Sequence, residues 1–145
     1  AYTARPPQVY GSNAFYGCKY LTGSLVIPEG VTEIRRGAFK GCTGLNGTLT
    51  LPSTLKKLGN RGEDDMQDEG TDYYGGVFQG CNNLTGNLRL PDNLELIRGY
   101  CFAGCSGFYG ELKLPSHLKR IANCVFQGCS GLTGSLTIPQ NITTI

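Results

Sequence analysis

Residues 126–139 read FQGCSGLTGSLTIP, and nearly the same string recurs as FKGCTGLNGTLTLP from Phe39 and FQGCNNLTGNLRLP from Phe78. Looser copies start at Phe15 and Phe102. The five phenylalanines are spaced 24, 39, 24 and 24 residues apart. The odd interval lies between Pro52 and Phe78, which is fifteen residues longer than Pro28 to Phe39, Pro91 to Phe102 or Pro115 to Phe126. The chain is therefore an array of 24-residue units, with residues 60–74 inserted into one of them.

Within each unit the apolar positions are fixed. Three places after Phe stands Cys (18, 42, 81, 105, 129), and six after stands Leu or, once, Phe108. Leu25 and Ile27 begin a series of paired apolar residues that ends in Pro at 28, 52, 91, 115 and 139. Val31, Leu55, Leu94, Leu118 and Ile142 follow, then Ile34, Leu58, Ile97, Ile121 and Ile145. The L-x-L-P run has period two, which predicts a short strand ended by Pro. Glycines two and eight places after Phe predict tight bends. No single unit can enclose a core, but stacked units can. At ~4.8 Å per turn the body is on the order of 25 Å long. Each turn supplies about seven large apolar side chains, and burying one fully is worth roughly 1.5–3 kcal/mol.

The unit AFxGCxxLTGxLxIPxxVxxI resembles the BspA-like type of leucine-rich repeat, in a 24-residue variant where the commonest family unit has 23. The likeness spans residues 14–145 apart from the insertion. It implies a mostly β solenoid: a right-handed coil with a parallel concave sheet and short turns or 3-10 segments. It also implies adhesion or ligand binding at a cell surface, as in bacterial and some protist surface proteins. The domain reading is a degenerate half-repeat or tail over residues 1–14, then five repeats over 15–145. The acidic insertion is a departure that the family pattern does not account for.

Composition narrows the function classes. The 145 residues include 22 Gly, seven Pro and no Trp, which argues against long helices. No apolar run is long enough to span a membrane. The chain opens without a leader, as expected of a mature protein, a fragment or a cytosolic chain. Net charge is +2, but the insertion carries −5 and the remainder +7, a hint of a surface tolerant of polyanions. No nucleophile elbow, zinc-protease, P-loop or dinucleotide motif is present, and His117 is the sole histidine. The expectation is no enzyme, no cofactor and no nucleic-acid partner.

Candidate sites lie at departures from the repeat. Seven cysteines without a CxxC or Cys/His pairing speak against zinc. The five in the ladder read as buried packing residues. Cys101 stands one place before Phe102 and Cys124 two before Phe126, so adjacent turns bring them within bridging range as a candidate disulfide, with two apolar fillers as the alternative. In the insertion, Asp64, Asp65, Asp68 and Asp72 are conceivable calcium ligands. The EF-hand spacing is missing, and a solvated loop is the plainer reading. Tyr73 and Tyr74 close that loop. Asn46, Asn83 and Asn141 sit in glycosylation sequons. Residues beside the Leu pair form an outward strip that is the candidate binding surface for a protein or glycan ligand: Ser24 and Val26, Thr48 and Thr50, Asn87 and Arg89, Glu111 and Lys113, Ser135 and Thr137.

The ends add a further reading. The chain closes at Ile145 on an inward apolar position, and ITTI followed by GSNAFYGC from Gly11 would read as unbroken repeat. Either the chain is an excerpt of a longer array, or subunits stack end to end as a homo-oligomer that grows into a filament. The expected function is a non-enzymatic extracellular or cell-surface binding and adhesion module. The alternative is a structural protein that builds an extracellular filament.

Overall fold

The structure, a computed structural model, describes residues 8–61 and 75–142. No helix occurs among the described residues, and none is long and apolar enough to cross a membrane. Seven short strands make two parallel sheets. β1 (Val9–Tyr10), β3 (Glu33–Ile34), β5 (Lys57–Leu58), β6 (Leu96–Ile97) and β7 (Arg120–Ile121) pair in that order. β2 (Gly23–Val26) pairs with β4 (Leu45–Thr50). Every strand pairs with the same part of the next turn, so the chain coils as a leucine-rich-repeat solenoid.

The location of the main sheet differs from expectation. The L-x-L-P run is a strand only at β2 and β4. Further along the run forms no bridge, and single bridges precede it instead, Thr48 to Thr85, Gly86 to Phe108 and Gly110 to Leu132. Left-handed glycines eight places after Phe accompany the break, although Gly23, left-handed at φ 79°, opens β2 with a register shift against β4. Gly86, Gly110 and Gly134 are left-handed, with φ of 86°, 85° and 85°, and no ladder follows them. Gly47 is not left-handed, and there β4 runs straight for six residues. The continuous sheet instead uses the residues around Ile34, Leu58, Ile97 and Ile121. Those side chains are buried, while Glu33 and Lys57 face outward as a cross-strand pair. Val9 and Tyr10 take the same register, so the segment before Phe15 contributes a rung to this sheet.

The phenylalanine segment is held by a third set of bonds. The amides of Phe15, Phe39, Phe78 and Phe102 donate to carbonyls of the next turn (Ala38, Val77, Cys101, Val125) at 2.7–2.9 Å. Between them, alternate amides close local turns, such as Cys42 N–H to the Phe39 carbonyl at 3.1 Å. This alternation needs left-handed backbone on both sides of each Phe. Two places before it stand Asn13, Gly37, Gly76, Tyr100 and Cys124, all with positive φ, and two after it stand Gly17, Gly41, Gly80, Gly104 and Gly128. A helix cannot continue through such a pattern, and of the short turns or 3-10 segments that the resemblance implied, the described residues form turns.

The core lies inside the coil. Phe15, Phe39, Phe78, Phe102 and Phe126 stack face to face with centroids 5.1–5.8 Å apart and planes within 16°. Leu55, Leu58, Leu84, Leu94, Ile97 and Leu118 are fully buried around them. In the first and last described turns, which have a neighbour on one side only, Phe15, Leu136 and Ile138 are exposed.

Candidate functional site

The outward strip is where the sequence places it. Thr48, Thr50, Asn87, Arg89, Glu111, Lys113, Ser135 and Thr137 are all exposed, beside Leu49, Leu88 and Leu112, which are buried. Ser24 and Thr48 are joined, the Thr48 amide donating to the Ser24 hydroxyl at 2.9 Å. Over the later turns the strip is dished. An open groove of about 410 Å³ lies between Asn87, Arg89, Asp92, Glu111 and Lys113, floored by Leu88 and Leu90. One of about 380 Å³ shares Arg89, Leu90 and Asp92 with it and reaches back to Glu29 and Ser53. Another, of about 300 Å³, shares Glu111 and Lys113 and runs on to Ser135 and Thr137. The three form one trough with charges of both signs on its rim and leucine in its floor. Sequence reasoning named the rim but missed Glu29, Ser53 and Asp92, because these residues follow the strand-ending Pro and reach the trough only through the corner.

That corner is itself ordered. The Ser53 amide donates to Glu29 at 3.0 Å and the Ser53 hydroxyl at 2.8 Å. These bonds hold the Glu29 carboxyl below its ordinary range, the amide contributing most. Two places after Pro52, Pro91 and Pro139, a polar side chain donates to a carbonyl of the preceding turn: Thr54 to Val31 at 2.8 Å, Asn93 to Ser53 at 3.0 Å, Asn141 to Ser116 at 2.6 Å. His117 is a rung of the same ladder, its Nδ1 lying 2.8 Å from the Asp92 carbonyl. A carbonyl only accepts, so Nδ1 carries the proton and the ring serves the corner.

Four of the five ladder cysteines pack inside the coil, and Cys18 in the first turn is half-buried. Cys42, Cys81, Cys105 and Cys129 are buried, and each thiol donates to the Phe carbonyl of the preceding turn at 3.1 Å. Burial pushes Cys81 up to about 12, and raises Cys42, Cys105 and Cys129 as well. Cys101 and Cys124 are not joined; both are free thiols. Their one-place difference in register sets them on opposite sides of the backbone. Cys101 points inward, wholly buried, towards the Leu58 carbonyl at 3.6 Å. Cys124 is exposed, in the left-handed column at φ 55°. Burial pushes Cys101 up to about 12.

The sequon residues Asn46, Asn83 and Asn141 are exposed and tied to neighbouring turns. Asn46 Oδ1 accepts from the Gly23 amide at 2.9 Å, and Asn83 donates to the Thr43 carbonyl at 2.7 Å. Asp64, Asp65, Asp68, Asp72, Tyr73 and Tyr74 lie outside the described residues. Among the described residues no group of three or more His, Cys, Asp or Glu could hold a metal. The insertion leaves and rejoins the coil at one point: a Cβ on Gly59 would lie 2.9 Å from the Gly75 Cα.

Parallel strands from successive turns, a phenylalanine stack and a corner ladder define a leucine-rich-repeat protein. The profile of the BspA type leucine rich repeat region matches residues 8–62 and 71–145 in six copies, so the chain belongs to that family. Among solved structures it is similar to the leucine rich repeat protein of T. pallidum, at 25% identity and a TM-score of 0.68, over 96% of this chain and 67% of that one. It is also similar to a leucine rich cell surface protein of Faecalibacterium prausnitzii A2-165, at 20% identity and a TM-score of 0.52. That match covers 81% of this chain but only 32% of the other. No curated protein matches the chain.

Proposed function

We propose that the chain is a non-enzymatic binding module displayed at a cell surface, and that it engages a protein partner through the trough over Arg89, Glu111 and Lys113. The observation that carries this reading is the trough itself. Three grooves meet around shared residues, with leucine below and paired charges above. An apolar floor supplies contact area, and a mixed-charge rim orients a partner without favouring a polyanion. Surface display is supported by the family and by the cell surface protein of F. prausnitzii, whose fold the chain shares. The absence of catalysis is supported by the structural use of the ladder thiols and of His117.

The test uses microspheres coated with the full chain on surfaces bearing individual purified extracellular-matrix proteins. Retention on at least one surface is expected, falling about tenfold when Arg89→Glu and Lys113→Glu are combined in a folded variant. Retention on none of them, or undiminished retention of the double variant, refutes the reading.

A further inference from the structure

A second groove lies on a different part of the coil and shares no residue with the trough. It arises from the left-handed column two places before each Phe. Asn13 and Tyr100 carry side chains there, but Gly37 and Gly76 between them carry none. An open groove of about 460 Å³ runs along this column, with the Asn13 carboxamide lying over Gly37 and the Gln79 carboxamide over Gly76. Tyr16, Lys40 and Gln79, each one place after its Phe, form one wall, and Arg36 stands beside Gly37. From Asn13 to Tyr100 is three turns, roughly 14 Å along the stack.

The chemistry of this groove is one-sided. Among the described residues, Arg36 and Lys40 line it and no carboxylate does. The Arg36 side chain makes no hydrogen bond or ion pair among the described residues. Lys40 Nζ stands 5.9 Å from the centre of the Tyr16 ring, which is itself 58% exposed. Two phenol rings offer flat faces near the ends, and Asn13 and Gln79 offer amide donors and acceptors. Among the described residues no aliphatic side chain lines the groove, so they form no socket for the apolar anchor on which peptide recognition usually depends.

We propose that this groove binds a carboxylate-bearing oligosaccharide, of the uronic-acid class. Arg36 and Lys40 take the sugar carboxylates, the guanidinium by a paired hydrogen bond. Tyr16 and Tyr100 receive the C–H faces of the rings, and the two amides bond to hydroxyls. The volume falls in the ~300–1,000 Å³ range of ordinary ligand sites.

The test is calorimetric titration of the full chain with a galacturonic acid hexamer, beside neutral cellohexaose and hexaglutamate. The uronate is expected to bind, with both others weaker by about tenfold or more. Arg36→Gln weakens uronate binding by about tenfold and Tyr16→Ala by about fivefold, whereas Arg89→Gln leaves it unchanged. No heat with the uronate overturns the proposal. So does equal binding of hexaglutamate, which would make the groove an acidic-peptide site, or equal binding of cellohexaose. Sensitivity to Arg89→Gln instead of Arg36→Gln also overturns it, by placing the ligand in the trough. Because the two sites share no residue, this result is independent of the matrix-protein assay.

Discussion

A single step in register decides what each cysteine can do. One place before Phe the side chain enters the core; two places before, it leaves it in a left-handed conformation. The family of ladder thiols was legible in the sequence because it recurs at one offset. The fate of Cys101 and Cys124 was not, because their two offsets look equivalent until the backbone alternation is known. Alkylation of the native protein is therefore expected to label Cys124 first and the half-buried Cys18 next. Cys42, Cys81, Cys101, Cys105 and Cys129 should react only as fast as the coil opens. A Cys101–Cys124 bridge would show itself as a Cys124 that resists labelling until reductant is added. Cys124 also carries backbone strain that glycine would not. Cys124→Gly is expected to stabilise the protein by roughly 0.5–1 kcal/mol in urea unfolding, since relief of the left-handed strain outweighs the added freedom of the unfolded chain. Alkali acts in the opposite direction. Below the ordinary thiol value of 9.0, Cys81 and Cys101 are protonated in both states and their burial costs nothing. As pH rises from there towards about 12, the unfolded chain gives up protons that the folded one keeps, so stability falls across that window.

At the scale of elements, the apolar pattern foretold which side chains point inward but not which stretch pairs. Leu49, Leu88 and Leu112 are buried as their period-two spacing predicts, yet only the first lies in a strand. Side-chain alternation follows from extended backbone. A ladder also requires the next turn to stay extended at the same level, and past the left-handed Gly86, Gly110 and Gly134 no such ladder forms. The two-residue strands around Ile34 were hidden for the complementary reason: two residues show no period. What unites the turns as continuously as the five-stranded sheet is the phenylalanine stack, which was visible in the sequence as a constant offset. Its members are not equivalent. Phe78 has a ring on each side, 5.6 and 5.5 Å away, and no exposure, while Phe15 has one ring neighbour in the stack and is 38% exposed. Phe78→Ala is expected to cost about 3–5 kcal/mol, and Phe15→Ala well under half as much. Equal costs in urea unfolding would mean that the stack does not carry the stability assigned to it.

For the whole molecule, the coil and its insertion are separable. The regular turns bond only to their neighbours, so stability accumulates turn by turn and an interruption matters only where it breaks a rung. The insertion breaks none. β5 and β6 pair in the same parallel register as β3 and β5, although the chain between them is fifteen residues longer than a plain unit. The amide of Gly37 reaches the Gly75 carbonyl at 2.8 Å, as that of Asn13 reaches Arg36 at 2.9 Å in the preceding turn. With Gly59 and Gly75 in contact, residues 60–74 can be removed and the ends joined without moving the coil. The deletion forfeits the bond from the Arg36 amide to the Asn60 carbonyl at 3.1 Å and the bond from Asn60 to Glu33 at 3.1 Å, each worth about 1 kcal/mol. The second bond acts against the burial that raises the Glu33 pKa. Together with Lys57 and Arg35, it holds the carboxyl below its ordinary value. Shortening the loop recovers part of the loss through loop-closure entropy. The shortened chain is therefore expected to fold with the same far-ultraviolet spectrum and a Tm lower by no more than about 8 °C. Its net charge rises from +2 to +7, so uronate binding at Arg36 should strengthen and become more sensitive to salt. A deletion that unfolds the protein would show that the insertion belongs to the scaffold rather than standing outside it.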